Sequence, residues 1–263
     1  MTHDNSETER WRQQLEDALK KKAHYLNAVE FKKRSRSKSQ PLWLECDDDH
    51  DYVVKTYDLA GRQVVNDQLV ARLGELLDAP VGKPALIHIP QELIEGQAKY
   101  FEGIEVKIAH GSLFIPNCQD SWELIATSEP ENRLRLVLLA TLYGWFVASD
   151  HQFLFRNTPP RLIYSVDHGH FFPNPPNWQA KDLQESINVD LDPYFQDCSF
   201  NQNELQQALQ KLSNISELDL IKTVAIIPQE WGFPMEDRLA MLKFLTIRKN
   251  QLVEIVRRKI LEF

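Results

Sequence analysis

Residues 149–172 read SDHQFLFRNTPPRLIYSVDHGHFF, and this stretch decides how the rest of the chain is interpreted. Two strand-like runs, residues 153–156 and 162–166, flank a turn that contains two prolines, a pattern typical of a β-hairpin. If the hairpin is centred on the Thr-Pro step of that turn, Asp150 lies opposite Asp167 at its open end. We therefore expect the two carboxylates to be neighbours.

Two opposed carboxylates point to a cation. Opposed residues of a hairpin have Cβ atoms roughly 4.5–5.5 Å apart, so the two acids repel unless a proton or a cation lies between them. Mg²⁺ prefers such oxygen ligands and commonly binds together with phosphate groups. A solvated surface hairpin is the alternative. Zinc bound by His151, His168 and His170 is disfavoured, because no fourth ligand has suitable spacing.

A second predicted hairpin lies upstream. Residues 41–46 and 51–57 are apolar runs on either side of an acidic turn, and a turn centred on the Asp48–Asp49 step places Lys55 opposite Leu42. Residues 32–40, KKRSRSKSQ, come just before it and predict a loop rich in hydroxyl and basic groups. A strand lysine beside such a loop, together with metal-binding acids from elsewhere, is a set of groups that suits phosphoryl transfer.

Strand-like and helix-like segments are separated along the chain. Besides the hairpins, strand-like composition occurs at residues 85–89 and 104–108, whereas helical periodicity occurs at residues 8–26, 65–77, 133–147, 205–212, 218–227 and 236–260. Strands followed by helices predict an α+β fold with two lobes. We assign residues 1–27 to a helical extension, 28–109 to a strand-rich lobe and 110–263 to a helical lobe. His110 begins a short segment between the lobes, either a hinge that meets adenine or a plain linker.

Composition excludes several classes of protein. The chain has 263 residues, 43% of them hydrophobic, and its 30 basic and 38 acidic residues give a formal net charge of −8. Such a charge disfavours non-specific nucleic-acid binding, which requires positive fields. The first residues are polar, and the longest apolar run, residues 136–148, is shorter than the ~20 residues that span a bilayer. We therefore predict a cytoplasmic protein without a membrane span.

Several motifs, taken in order, resemble the HipA-like kinases. The motifs are SRSKSQP at residues 35–41, YVVK at 52–55, ND at 66–67, SDH at 149–151 and VDHGHFF at 166–172. The resemblance runs from about Ala28 to the last predicted helix, and residues 1–27 look like an added segment. It implies a bilobal, protein-kinase-like α+β fold, with some likeness to the phosphatidylinositol kinases, and an ATP- and Mg²⁺-dependent phosphotransferase activity.

The resemblance also implies roles for residues of the strand-rich lobe. Lys55 would hold the α- and β-phosphates of ATP. Asp67 stands where the family usually has a glutamate that pairs with this lysine, and its shorter side chain predicts a contact that is longer, water-bridged or made only in a closed state. The loop over the phosphates would be formed by Ser35, Ser37, Lys38, Ser39 and Gln40.

In the helical lobe, the resemblance implies that Asp150 orients or deprotonates the acceptor hydroxyl and that Asp167 binds the metal as the aspartate of an Asp-x-Gly motif, residues 167–169. The family's usual catalytic loop reads Asp-Arg-His-x-x-Asn, with the Asn binding metal. Here the loop is shortened, so the amide of Gln152 is the candidate second metal ligand. Two hypotheses follow: a kinase for an acceptor hydroxyl, most simply of a protein Ser or Thr, and a nucleotide-binding pseudokinase. A third hypothesis is a protein that uses residues 1–27 to bind a protein partner and has no nucleotide site.

Overall fold

The computed structural model describes residues 2–105, 108–186 and 188–263. Within them, five strands close into a barrel in the order β1-β2-β3-β5-β4, and a separate three-stranded sheet has the order β6-β7-β8. The barrel strands are β1 (Leu26–Arg34), β2 (Leu42–Cys46), β3 (Asp51–Lys55), β4 (Pro84–His88) and β5 (Ile108–Leu113). The sheet strands are β6 (Cys118–Ser121), β7 (Gln152–Arg156) and β8 (Ile163–Val166).

Helices surround the barrel and form most of the second half of the chain. The helices of the described residues are α1 (Thr2–Leu19), α2 (Tyr57–Ala60), α3 (Gln63–Leu76), α4 (Gln91–Gly96), α5 (Pro130–Trp145), α6 (Ala180–Glu185), α7 (Gln202–Asn214), α8 (Glu217–Ala225) and α9 (Met235–Leu261). Short 3₁₀ turns occur at Ala98–Tyr100, Pro193–Cys198 and Gln229–Trp231. None of the helices in the described ranges is long and apolar enough to cross a membrane.

Helix α3 lies between the barrel and the helical part of the molecule. It follows Gly61, which adopts a positive φ of 56° that a residue with a side chain rarely adopts. Ten of its residues are buried, including the polar side chains of Asn66, Asp67 and Gln68. Because buried polar groups must find partners, this helix carries its polar residues for specific contacts rather than for solubility.

The first hairpin differs by one residue from its predicted register. Leu42 pairs with Val54, not with Lys55. The Cys46 amide donates to the His50 carbonyl, and Asp49 adopts a positive φ of 61°, so the turn is a three-residue loop with a left-handed last residue. An odd loop length moves the pairing by one position, which is why the prediction of Lys55 opposite Leu42 was wrong.

The second hairpin differs from its predicted register in the same way. Gln152 pairs with Val166, and the Arg156 amide donates to the Leu162 carbonyl, which leaves five residues in the turn. Asp150 and Asp167 lie beyond the strand ends, with positive φ values of 61° and 59°. The prediction that these two acids face each other across the hairpin was therefore wrong.

The hinge predicted at His110 is part of the barrel. His110 lies inside β5 and pairs with Lys55 of β3 and with Leu86 of β4. The boundary predicted between residues 109 and 110 thus falls within a strand, and the chain leaves the barrel only after Leu113.

Helix α1 is part of the main core. Trp11 and Leu15 are buried in the same apolar cluster as α5 and α9, and Arg10 forms a 2.9 Å ion pair with Glu217 at the start of α8. The helix ends at Leu19, before the predicted end at residue 26, because Leu26 begins β1. The apolar side of this helix therefore contacts the chain's own helices.

Candidate active site

A cleft of about 280 Å³ lies between the barrel and the three-stranded sheet. Its apolar walls come from barrel strands, from the segment after β5 and from the facing sheet, and its polar end is formed by an ammonium group and two carboxylates. The apolar lining includes Pro41, Trp43, Val53, Ala71, Leu113, Phe114, Ile115, Leu154 and Val166. The polar lining includes Lys55, Asp67, His110, Ser112, Gln152, Asp167 and His168. The cleft thus joins an apolar space to a charged end.

Lys55 joins the two halves of this cleft. Its Nζ lies 2.8 Å from Asp67 Oδ2 on α3 and 2.6 Å from Asp167 Oδ1 after β8. Burial opposes the charge of the ammonium group, but the attraction of Asp67 and Asp167 outweighs it and raises the pKa of Lys55. The contact with Asp67 is direct, so of the three expectations the longer and the water-bridged contact were wrong, and a contact that forms only in a closed state stays a prediction.

The two carboxylates are in different environments. The side chain of Asp67 is 3% exposed, and although burial acts to raise its pKa, the charge of Lys55 lowers it below its usual range. The side chain of Asp167 is 41% exposed. One ammonium group and two carboxylates give a formal charge of 1 − 2 = −1, so the polar end of the cleft favours a cation beside Asp167.

Two buried histidines flank this charged group. Burial lowers the pKa of both His110 and His168 to about 4, so both rings are neutral at neutral pH. The amide of Gln68 lies 2.7 Å from His110 Nδ1, and with its nitrogen directed there its oxygen accepts from Arg72. His168 Nε2 lies 2.7 Å from Ser165 Oγ. The sequence analysis did not predict a buried, neutral ring beside the charged group for either histidine, although His168 lies between Asp167 and Gly169 of the Asp-x-Gly motif.

Asn66, beside Asp67 on α3, is another residue whose role sequence reasoning missed. Its side chain is fully buried, and its Nδ2 lies 2.8 Å from the Gly169 carbonyl oxygen. A Cβ on Gly169 would lie 2.9 Å from Gln63 Cβ and 3.3 Å from Asp67 Oδ2, so the motif glycine permits this close approach to α3. The available signal was a polar pair, Asn-Asp, inside an otherwise apolar helical stretch.

The structure does not bring Asp150 to the same charged group. Among the described residues, it is not part of the cleft lining, and its side chain is 49% exposed. Asp150 Oδ2 instead lies 3.5 Å from His170 Nδ1. The carboxylate is therefore open to solvent and beside an imidazole ring.

Among the described residues that line the cleft, none belongs to the loop at residues 35–40. This part of the chain reaches the cleft only at Pro41 and Trp43. Arg34 holds the loop: it donates to Gln40 Oε1 at 2.6 Å and to the carbonyl oxygens of Tyr100 and Glu102. Within the loop, the Ser37 amide donates to Ser35 Oγ and the Gln40 amide to the Ser37 carbonyl. The roles predicted for Ser35, Ser37, Lys38, Ser39 and Gln40 remain predictions.

The two candidate metal ligands line the same cleft. Gln152 and Asp167 both line the cleft. The described residues contain no group of three or more His, Cys, Asp or Glu side chains suited to hold a metal. Mg²⁺ is commonly bound through one or two carboxylates plus substrate phosphates, so a partly exposed carboxylate and an amide that line the same cleft fit a cation that a nucleotide brings.

The fold is that of a protein-kinase-like protein. The Helicobacter pylori proinflammatory kinase CtkA superimposes with a TM-score of 0.54 and 13% identity, over 89% of this chain and 96% of that one. A Golgi casein kinase aligns with a TM-score of 0.42 and 11% identity, over 96% of this chain and 77% of that one, and the same kinase with Mn and ADP bound aligns with a TM-score of 0.38 and 12% identity, over 93% and 76%. The bilobal α+β prediction is confirmed.

The chain belongs to the HipA-like kinase family. Residues 28–260 match the profile of that family, which confirms the resemblance and places its start at the predicted residue. No protein with a curated function matches the sequence.

Proposed function

We propose that this HipA-like protein is a phosphotransferase that binds ATP with Mg²⁺ in the cleft and transfers the γ-phosphate to a hydroxyl group. The observation that carries the proposal is the bridge from Lys55 Nζ to Asp67 and Asp167 across the cleft. A buried ammonium group held by an acid on a neighbouring helix is suited to bind phosphate oxygens, and it remains charged because its pKa is raised.

The cleft provides separate places for the base and the phosphates. The side chains of Trp43, Val53 and Leu154 offer an apolar environment for a flat purine ring. Lys55 would hold the α- and β-phosphates at the other end, while Asp67 keeps the ammonium group in place. His110 contributes a neutral polar ring to the lining rather than a hinge.

Asp167 and Gln152 would hold the metal through a carboxylate and an amide oxygen. Mg²⁺ would neutralise charge on the β- and γ-phosphate oxygens. For this ligation, Asp167 must share its Oδ1 between Lys55 and the metal or bind through Oδ2, and the exposure of its side chain leaves room for either arrangement.

Asp150 would accept the proton of the acceptor hydroxyl. The hydroxyl oxygen forms the bond to the γ-phosphorus, the bond to the oxygen bridging the β- and γ-phosphates breaks, and ADP leaves with that electron pair. The open position of Asp150 suits a bulky acceptor, and we propose the Ser or Thr hydroxyl of a protein. A small-molecule acceptor is the alternative substrate.

A nucleotide-binding pseudokinase is the second candidate function. The observation that favours it is that Asp150 lies outside the described lining of the cleft, in a loop that lacks the family's usual Arg and Asn. In this reading Lys55 and Asp167 bind nucleotide, and the nucleotide-bound protein acts on a partner without phosphate transfer.

Two measurements on the same protein separate these functions. Calorimetric titration with ADP, with and without Mg²⁺, tests binding, and Lys55→Met is expected to weaken it. Radiolabelled ATP with protein acceptors tests transfer, and Asp150→Ala is expected to abolish incorporation without changing ADP binding. Binding without transfer selects the pseudokinase, whereas absence of binding by the wild-type protein rejects both.

A further inference from the structure

Asn66 connects α3 to the segment that carries Asp167. Its Nδ2 lies within hydrogen-bond distance of three carbonyl oxygens, those of Gly169 at 2.8 Å, Pro176 at 3.2 Å and Phe171 at 3.4 Å. Its Oδ1 accepts a 2.9 Å bond from the indole Nε1 of Trp178. One amide therefore contacts four residues of the segment that follows β8.

We propose that Asn66 is a positioning residue that fixes Asp167 relative to the Lys55–Asp67 pair, so that the phosphate- and metal-binding groups are assembled before nucleotide binds. This inference rests on the proposed nucleotide-binding function. Asn66 is not itself one of the described residues that line the cleft, so it acts through the backbone around Gly169.

The position of Asn66 on α3 explains how one helix contacts both Lys55 and the segment after β8. Consecutive residues of a helix point about 100° apart, so Asp67 faces Lys55 while Asn66 faces the segment after β8. A small shift of α3 would therefore change the ion pair and the backbone of the Asp-x-Gly motif together. The close approach of Gly169 to Gln63 leaves little space for independent movement.

The start of α3 is held by the helical part of the molecule as well. Arg62 forms a 2.6 Å ion pair with Asp237 at the start of α9, and its guanidinium group lies 4.0 Å from the ring centre of Trp178. Trp178 is 1% exposed, so the partner that fixes the Asn66 amide is itself held firmly. These contacts oppose a swing of α3 away from Lys55.

A matched pair of variants tests the role. Asn66→Ala removes the side-chain amide that contacts the segment after β8. Asn132→Ala is the control, because Asn132 is also fully buried: its Nδ2 donates to the carbonyl oxygens of Ala126 and Arg161, and its Oδ1 accepts from the Ile163 amide. Asn132 does not line the cleft. The measurements are kcat and KM for ATP, and the ADP dissociation constant with and without Mg²⁺, at a temperature where both variants are folded by circular dichroism.

We expect both variants to melt at a lower temperature, but only Asn66→Ala to lose activity, by about 10- to 100-fold in kcat with a smaller change in KM, as displaced catalytic groups do. We also expect it to lose most of the gain in ADP affinity that Mg²⁺ gives the wild-type protein. If Asn66→Ala does not fold, Trp178→Phe is the second variant. It removes the donor to Asn66 Oδ1 and part of the ring beside Arg62 but leaves the Nδ2 contacts of Asn66, so it must show the same losses to a smaller degree.

The outcomes distinguish this role from the proposed function. Wild-type ADP binding that depends on Mg²⁺, together with equal kcat and equal Mg²⁺ dependence in Asn66→Ala, would overturn the role of Asn66 alone. If the wild-type protein binds nucleotide without turnover, the Mg²⁺ dependence of ADP binding alone tests the role of Asn66. Equal dependence in the wild-type protein and in Asn66→Ala would then overturn that role. Absence of nucleotide binding by the wild-type protein would overturn the proposed function and this role with it.

Discussion

Lys55 Nζ on β3 lies 2.8 Å from Asp67 Oδ2 on α3, with both side chains less than a tenth exposed. The family usually has a glutamate at this position, and the shorter aspartate still makes a direct contact because α3 packs close to the barrel. The segment after β8 is close to Asp67 as well, because a Cβ on Gly169 would lie 3.3 Å from Asp67 Oδ2. The length of the acid and the spacing of the helix are therefore matched in this protein.

Restoring the usual family residue is expected to harm the protein. Asp67→Glu adds a methylene to a closely packed site, which we expect to lower the free energy of unfolding by about 1–3 kcal/mol and to weaken ADP binding. The measurements are urea unfolding and calorimetric titration. Asp237→Glu, at the more exposed ion pair with Arg62, is the control and should change little. Tighter ADP binding by Asp67→Glu would contradict the matched spacing.

Removing only the lysine is expected to cost more than removing the pair. Lys55→Met leaves the Asp67 carboxylate buried without its ammonium partner, and breaking a buried ion pair on one side typically costs about 3–5 kcal/mol. The double variant Lys55→Met/Asp67→Asn has no buried carboxylate at position 67 and should regain about half of that loss. Urea unfolding at neutral pH measures both. A double variant no more stable than Lys55→Met would show that the two groups are not energetically coupled.

The sequence predicted which groups meet better than it predicted the strand registers that bring them together. Lys55 and Asp167 were singled out from two hairpins, and they do meet, but both hairpin registers were wrong by one residue. The turn of a hairpin sets its register, and an odd loop with a left-handed residue such as Asp49 is not distinguishable by composition from an even one. Helix positions were predicted more closely because their apolar periodicity extends over many residues.

The remaining misses concern contacts between distant segments. His110 reads as a linker between lobes, because a short run with Gly and Ser is typical of loops, yet it pairs across two barrel strands. No local pattern around Asn66 indicates that its side chain contacts a segment more than a hundred residues later in the chain. Tertiary packing, not local pattern, determines such contacts.

Buried neutral histidine should make the protein sensitive to mild acid. Burial lowers the pKa of His110 from 6.5 to about 4, so between these values the unfolded chain binds a proton that the folded chain does not. Stability due to this group therefore falls as pH falls from about 6.5 to about 4, by about 2 kcal/mol between pH 7 and pH 5.

Urea unfolding at pH 7 and at pH 5 tests whether the free energy of unfolding decreases at the lower pH. His110→Gln remains neutral at both values and should lose about 2 kcal/mol less than the wild-type protein over that interval. His50→Gln, on the exposed loop of the first hairpin, is the control and should follow the wild-type protein. Equal losses in all three proteins would mean that His110 does not titrate as its burial implies.

The metal dependence of nucleotide binding should separate Gln152 from Asp150. Gln152 lines the cleft with Asp167, whereas Asp150 does not line it among the described residues. Gln152→Ala is expected to reduce the gain in ADP affinity caused by Mg²⁺ about tenfold, which corresponds to about 1.4 kcal/mol. Asp150→Ala should leave that gain unchanged, and so should Gln119→Ala on the exposed strand β6 of the same sheet. Titrations with and without Mg²⁺ measure the gain directly.

If Asp150→Ala removes the gain in ADP affinity and Gln152→Ala does not, then Asp150 is the metal ligand, because a residue that only receives the acceptor's proton has no part in binding ADP.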